Sequence, residues 1–264
     1  MHTGPTGPHR TVKAEVTMST HAAIAAHANR AVPGYLVSAL AMTPNSGMGA
    51  SGMGAAIQPR NPADPLAGLG HAKVHERETT LFSEGDAAGS VFRVMSGMVR
   101  LYKMLPDGRR QIIGFLQAGD MMGLAFAAQY LYTAETVTAT TIQRIPRLEL
   151  DALMDAQPAF ARKLLSATTS ELMAAQDQMV LLGRKTAAEK VATFLLRLSD
   201  RRGGEQTIDL PMGRSDIADH LGLTTETVSR TLTKLKSSRL IRILVGGKLD
   251  LLDRDALADL AGGF

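Results

Sequence analysis

Apolar positions recur along this chain with two different periods, and the change between them divides it. From about Pro65 to Ile145 they form short blocks cut by turn residues, and from Leu148 onward most return every three or four residues. In the first region His71 to Leu81 has extended character and Phe82 to Ala88 reads as a turn. Val91 to Met95 is a short apolar strand that Ser96 and Gly97 turn back. Met98 to Leu105 alternates, with Val99, Leu101 and the stem of Lys103 on one side. Pro106-Asp107-Gly108 is a turn signal, Gln111 to Leu116 another strand, and Ala118-Gly119-Asp120 another turn. Thr136 to Ile145 is rich in Thr, Val and Ile, as strands prefer. Short strands at this spacing predict a β-sandwich or β-roll over residues 65–147.

The second region is helical. A helix begins at Leu148 and is interrupted near Gln157, and Pro158 suits the first turn of the next. Between Phe160 and Leu182 the positions Leu165, Thr168, Leu172, Ala175, Met179 and Leu182 alternate by three and four. That is an a/d seam, the pattern of a two-helix interface, so 148–183 is assigned as a dimerisation helix. The same pattern also suits a helix packed on its own roll. Gly183 to Lys185 reads as a hinge, and Thr186 to Leu198 as a helix with Val191, Phe194, Leu195 and Leu198 inward. Thr207 to Leu210 is a short strand. Ile241–Leu244 and Lys248–Leu252 flank Gly246-Gly247, a hairpin turn, and Arg254 to Ala261 is a last helix.

Gly213 to Ile241 has the form of a helix–turn–helix. Ser215 is the expected N-cap, Asp216 an acid in the first turn, and Ile217, Ala218 and Leu221 an apolar face. Gly222 ends that helix, Leu223 fills the corner, and Thr224 caps a second helix whose Val228, Leu232 and Leu235 face inward. Glu226, Ser229 and Arg230 then share the opposite face. An Arg can contact guanine O6 and N7, a Glu can accept from cytosine N4, and a Ser serves either kind of base. Thr224, Thr225 and Thr227 lie beside them, and Lys234 and Lys236 are placed for phosphates. From Thr224 to Arg242 there are five Lys or Arg and one acid. Isolated, Glu226 and Arg230 would equally suit an ordinary solvated helix. Behind a preceding helix and turn they point to double-stranded DNA.

The run Glu226-Thr227-Val228-Ser229-Arg230 resembles the recognition helix of the bacterial CRP/FNR regulator superfamily. Regulators of TGTGA-type sites carry an Arg before the Glu and a Gly before the last Arg. Thr225 and Ser229 stand there in this chain, so it resembles the FNR/FixK branch, which reads TTGAT-type half-sites. The run SGMVRLYKMLPDGRRQIIGFLQAGDMMGL resembles the effector domain of the same superfamily, and the resemblance extends from about Pro65 to the C-terminus. It implies an α+β architecture: a cyclic-nucleotide-binding-type β jelly roll, a long dimerisation helix, and a winged helix–turn–helix over residues 184–264. It further implies a homodimer on a TTGAT-N4-ATCAA-type palindrome that recruits RNA polymerase in low-oxygen, nitrogen-fixation or denitrification control. A ligand-gated regulator and a repressor remain the alternatives.

Composition narrows this. Net charge is only +4, so nucleic-acid binding must come from local clustering. No run of 18 apolar residues and no signal peptide appears, which predicts a cytoplasmic protein without a membrane span. With no cysteine, disulfides, thiol switches and a Cys-ligated iron–sulfur cluster are excluded. No Lys or Arg lies between Arg110 and Arg144 to neutralise a nucleotide phosphate. Tyr132 and Thr133 stand where the family's ligand-binding Arg–Ser pair is expected, and Phe126, Tyr130 and Tyr132 either line a different pocket or pack against the roll. No His lies between His75 and His220, so haem has no ligand inside the roll. His71 and His75 are four apart on an extended stretch rather than a helix face. No cofactor, metal or catalytic residue is therefore assigned. Residues 1–64, rich in Ala, Gly, Met, Pro, Ser and Thr, read as a disordered extension.

Overall fold

The computed structural model describes Met1 and residues 64–124 and 127–262. The expected disordered extension, apart from Met1 and Asp64, and Phe126 lie outside the described residues.

Eight strands build the first region: β1 (His71–His75), β2 (Thr80–Phe82), β3 (Ser90–Ser96), β4 (Val99–Met104), β5 (Arg110–Leu116), β6 (Met121–Met122), β7 (Thr133–Thr136) and β8 (Thr140–Pro146). They form two four-stranded antiparallel sheets, ordered β1-β8-β3-β6 and β2-β7-β4-β5. Two expected single strands are each split between the sheets. His71–Leu81 breaks after His75, where Glu78 takes φ 59, and Thr136–Ile145 breaks at Val137–Ala139. A strand that crosses from one layer of a roll to the other must leave its ladder at the corner, and β-propensity does not register that. At the β3–β4 turn Gly97 has φ 86, and a Cβ there would lie 2.5 Å from Thr140 Oγ1 and 2.6 Å from the Ala139 carbonyl. Only glycine fits.

The two sheets enclose Phe82, Phe92, Val94, Val99, Leu101, Leu116, Met122, Tyr130 and Ile142. On the outer face of the first sheet Val91, Met121 and Ile145 meet Leu150, Phe160 and Leu164. These come from α1 (Arg147–Ala156) and α2 (Pro158–Arg184), the latter with proline in its first turn as expected. On the outer face of the second sheet Met98, Ile112 and Phe115 enter a core shared with the C-terminal region. Strand β5 is thus buried on both faces, with Leu116 inside the roll and Ile112 and Phe115 outside it.

The C-terminal region consists of α3 (Ala187–Asp200), β9 (Thr207–Asp209), α4 (Arg214–Leu221), α5 (Thr225–Ser237), β10 (Ile241–Ile243), β11 (Lys248–Leu251) and α6 (Arg254–Leu260). The break between α2 and α3 falls at Lys185 and Thr186, so the first two residues of the expected hinge, Gly183 and Arg184, still belong to α2. Thr186 and Glu189 form a capping box there. Strands β10, β11 and β9 make a three-stranded antiparallel sheet, with Gly246-Gly247 at the wing turn. No described helix is long and apolar enough to cross a membrane.

Candidate nucleic-acid interface

The helix–turn–helix is formed by α4 and α5. Its corner is Gly222, left-handed at φ 61 and ψ 45, and Leu223 packs against the shared core beside it. The expected N-cap of α4 needs correction: the cap is Gly213, with no side-chain hydrogen bond, and Ser215 lies within the first turn. The helical backbone starts one residue after glycine, which tolerates the cap position. Asp216 is in the first turn as expected, but its carboxylate is buried and taken by arginines of the roll. For α5 the cap is Thr224, whose Oγ1 accepts from Thr227 N–H at 3.1 Å.

Val228, Leu232 and Leu235 anchor α5 in the core, with exposures of 0–3%. The opposite side is open. Thr225, Glu226, Ser229, Arg230, Thr233 and Lys234 are all exposed, and a shallow groove runs along Ser229, Arg230, Thr233, Lys234 and Ser237. Thr227 is half-buried beside them. Glu226 and Arg230 pair at 2.6 Å with side chains 70% and 80% exposed. Such an exposed i,i+4 pair contributes only about 0.3–0.5 kcal/mol, so both groups can exchange it for base edges at little cost. Ser229 Oγ donates to the Thr225 carbonyl at 2.9 Å, which leaves its lone pairs outward. The 13 residues of α5 make a rod about 20 Å long and about 10–12 Å wide, matched to a major groove about 12 Å across. Lys236 in the last turn of α5 and Arg239 just after the helix are exposed. Arg242 is different: it belongs to the wing sheet, where Asp250 accepts from its Nε at 2.9 Å and its Nη2 at 2.7 Å. At the wing tip Val245 is 97% exposed.

The seam residues divide. On α2, Leu165, Leu172 and Met179 are 68%, 62% and 65% exposed, Thr168 is exposed, and Met173 and Val180 extend the apolar stripe. Ala175 and Leu182 are half-buried, and Leu182 packs against the shared core near Gly222. The inward side of the same helix, Leu164, Ala167, Ala174, Gln178 and Leu181, is buried within the chain. The helix therefore packs on its own protomer through one face and leaves most of the a/d seam on another.

In the roll, the segment where the resemblance expects nucleotide contacts carries Tyr130 and Tyr132, whose rings pack beside Phe82. Tyr130 stacks on Phe82 with centroids 3.9 Å apart, and its hydroxyl donates to the Ser90 carbonyl at 2.8 Å. The Tyr132 hydroxyl accepts from Gly123 N–H at 3.0 Å, and burial pushes its pKa up to about 12. These two tyrosines pack against the roll. Among the described residues no group of three His, Cys, Asp or Glu comes together to hold a metal.

Sequence reasoning missed a polar joint between the roll and α4. Arg100 on β4 binds Asp216 at 3.1 Å and Glu135 at 2.7 Å, and Arg110 on β5 binds Asp216 at 2.5 Å and Asp219 at 2.8 Å. Gln111 donates to the Asp219 carbonyl at 2.7 Å, and Gln178 of α2 to the His220 carbonyl at 3.3 Å. Because Ile112 offers only a carbonyl, His220 must donate to it from Nδ1, at 3.1 Å. These partners are 35 or more residues apart, and no local pattern signals them.

A roll of this topology, a long helix with one free apolar face, and a winged helix–turn–helix with an open polar stripe define a two-domain DNA-binding regulator. Comparison with known proteins agrees. Residues 72–157 match the cyclic nucleotide-binding domain family and residues 189–260 the Crp-like helix-turn-helix domain family. The transcriptional activatory protein AadR of Rhodopseudomonas palustris is 46% identical over 194 residues, covering 71% of this chain and 81% of that protein. The nitrogen fixation regulation protein FixK of Bradyrhizobium diazoefficiens is 44% identical over 186 residues, covering 69% and 78%. The solved structure of FixK2 from Bradyrhizobium japonicum superposes with a TM-score of 0.69 at 38% identity, covering 73% of this chain and 97% of that one. The chain belongs to the CRP/FNR family of DNA-binding transcription regulators, a family of regulators and not enzymes.

Proposed function

We propose that this protein is a cytoplasmic transcription activator that binds a TTGAT-N4-ATCAA-type palindrome as a homodimer and recruits RNA polymerase. Thr225, Glu226, Ser229 and Arg230 read base edges, while Thr224, Thr227 and Lys234 hold the backbone. The observation that carries this reading is the stripe on α5: its polar groups face outward and are bound to nothing stronger than one another, while Val228, Leu232 and Leu235 lock the opposite side. The free face of α2, centred on Leu172 and Met179, supplies the second copy that a paired half-site requires. Activation and control of low-oxygen or nitrogen-fixation genes follow from the relatives named AadR and FixK. The packed Tyr130 and Tyr132 favour a roll that needs no nucleotide.

Fluorescence anisotropy at fixed salt tests the reading. Arg230→Ala should weaken binding to the palindrome by about 1–3 kcal/mol and leave binding to random DNA almost unchanged. Lys234→Ala should weaken both and lower the salt slope by about one. Equal losses on cognate and random DNA for Arg230→Ala would reduce that residue to a phosphate contact and remove the base-reading assignment.

A further inference from the structure

The joint between the roll and α4 is more elaborate than docking alone requires. Apolar contact already joins the two: Ile112 and Phe115 lie in one core with Ile217, Leu221 and Phe194. Upon this sits a directional set of bonds. Two arginines on neighbouring strands converge on Asp216, which is only 5% exposed, and Arg110 reaches one helical turn further to Asp219. Planar guanidinium groups hold carboxylates at fixed angles as well as fixed distances. Gripping two acids three residues apart fixes the rotation of α4 about its own axis, and Gln178 ties its last turn to α2. The joint is engaged while the α5 stripe stays exposed.

We propose that Arg110, with Asp216 and Asp219, is a positioning element that sets which half-site spacing the protein accepts. The inference rests on the homodimeric, palindrome-reading function above. The corner at Gly222 and the shared core make α4 and α5 one rigid unit, so α4's seat on the roll aims α5. Through the two-fold axis the same error occurs in both protomers with opposite sense. A rotation of about 10° over a lever of about 20 Å, the length of α5, moves its end by about 3.5 Å, close to one base-pair step of roughly 3.4 Å. Loosening the joint therefore costs little on a single half-site and much in discrimination between spacings.

The test uses full-length protein and palindromes whose central spacer is lengthened or shortened one base pair at a time, with a single half-site as reference. Sedimentation and circular dichroism accompany each variant. Wild type should be dimeric and show one sharp optimum, with at least a tenfold loss one base pair away. Arg110→Ala and the milder Asp219→Ala should bind the single half-site and the optimal palindrome within threefold of wild type, while the one-base-pair penalty falls to threefold or less. An unchanged penalty in folded, dimeric Arg110→Ala or Asp219→Ala would overturn the proposal, as would an equal loss at every spacing and on the half-site. A dimeric wild type without a spacing optimum would overturn it too. A monomeric wild type, or one indifferent to the TTGAT-type sequence, would instead overturn the underlying function.

Discussion

Acid should loosen this protein through His220. The imidazole lies wholly inside the roll–α4 interface, 5.4 Å from the Phe115 ring and 5.6 Å from that of Phe194, and donates to the Ile112 carbonyl. Burial pushes its pKa down from 6.5 to about 4, against the small upward pull of that hydrogen bond, and the charge of Arg197 adds to the fall. Unfolded, the same ring titrates near its ordinary value. Between these two values the unfolded chain takes up a proton that the folded chain refuses, so stability rises with pH across the window. The contribution is fully present above about 6.5 and is lost as pH falls toward 4. At roughly 1.4 kcal/mol per pH unit it amounts to about 3 kcal/mol, of which about 2 kcal/mol is gone at pH 5. Against a total stability of about 5–15 kcal/mol that is a large share. Carboxylates whose pKa is lowered, such as Asp250, titrate below this window. His75, lowered by burial and by Lys73, contributes with the same sign and is best removed from both proteins. The experiment compares urea unfolding of His75→Gln with that of His75→Gln, His220→Gln, followed by circular dichroism at pH 7 and pH 5. Glutamine keeps a donor for Ile112 and does not titrate. The single variant should lose about 2 kcal/mol more than the double variant between the two pH values. Equal losses would mean that His220 takes its proton in the folded state and that the argument from burial is wrong.

Three further outcomes are expected. Thr224→Ala removes the acceptor for Thr227 N–H and should destabilise the protein by about 1 kcal/mol, read as a shift in the urea midpoint at constant slope. Leu172→Glu with Met179→Glu places charge on the exposed face of α2 and should give monomers in sedimentation and no tight binding to the palindrome; a double variant that stays dimeric would refute the seam. Operator binding should be the same in air and under nitrogen, with or without cyclic AMP, because the chain has no cysteine to hold an iron–sulfur cluster and no Lys or Arg between Arg110 and Arg144 to hold a nucleotide phosphate, while Tyr130 and Tyr132 pack into the roll; a tenfold change, about 1.4 kcal/mol, from either addition would refute this.

The sequence alone placed the helix–turn–helix. Thr224, Gly222 and the Val228-Leu232-Leu235 ladder are local signals, since a cap, a left-handed corner and a helical period each depend on residues a few positions apart. Once they place α5, the open stripe of Glu226, Ser229 and Arg230 follows from helical geometry. The a/d spacing on α2 was legible for the same reason, and its exposed Leu165, Leu172 and Met179 match it. The structure alone decided where strands change sheets, because leaving a ladder at a corner depends on layers that meet only in space. It also decided that Leu182 turns toward the core and that Asp216 serves the roll rather than the cap of its helix. A carboxylate in a first helical turn looks alike in sequence whether it faces water or two arginines. What distinguishes the cases is desolvation by residues over 100 positions away, Arg100 and Arg110, and burial of that kind exists only once both domains have folded together.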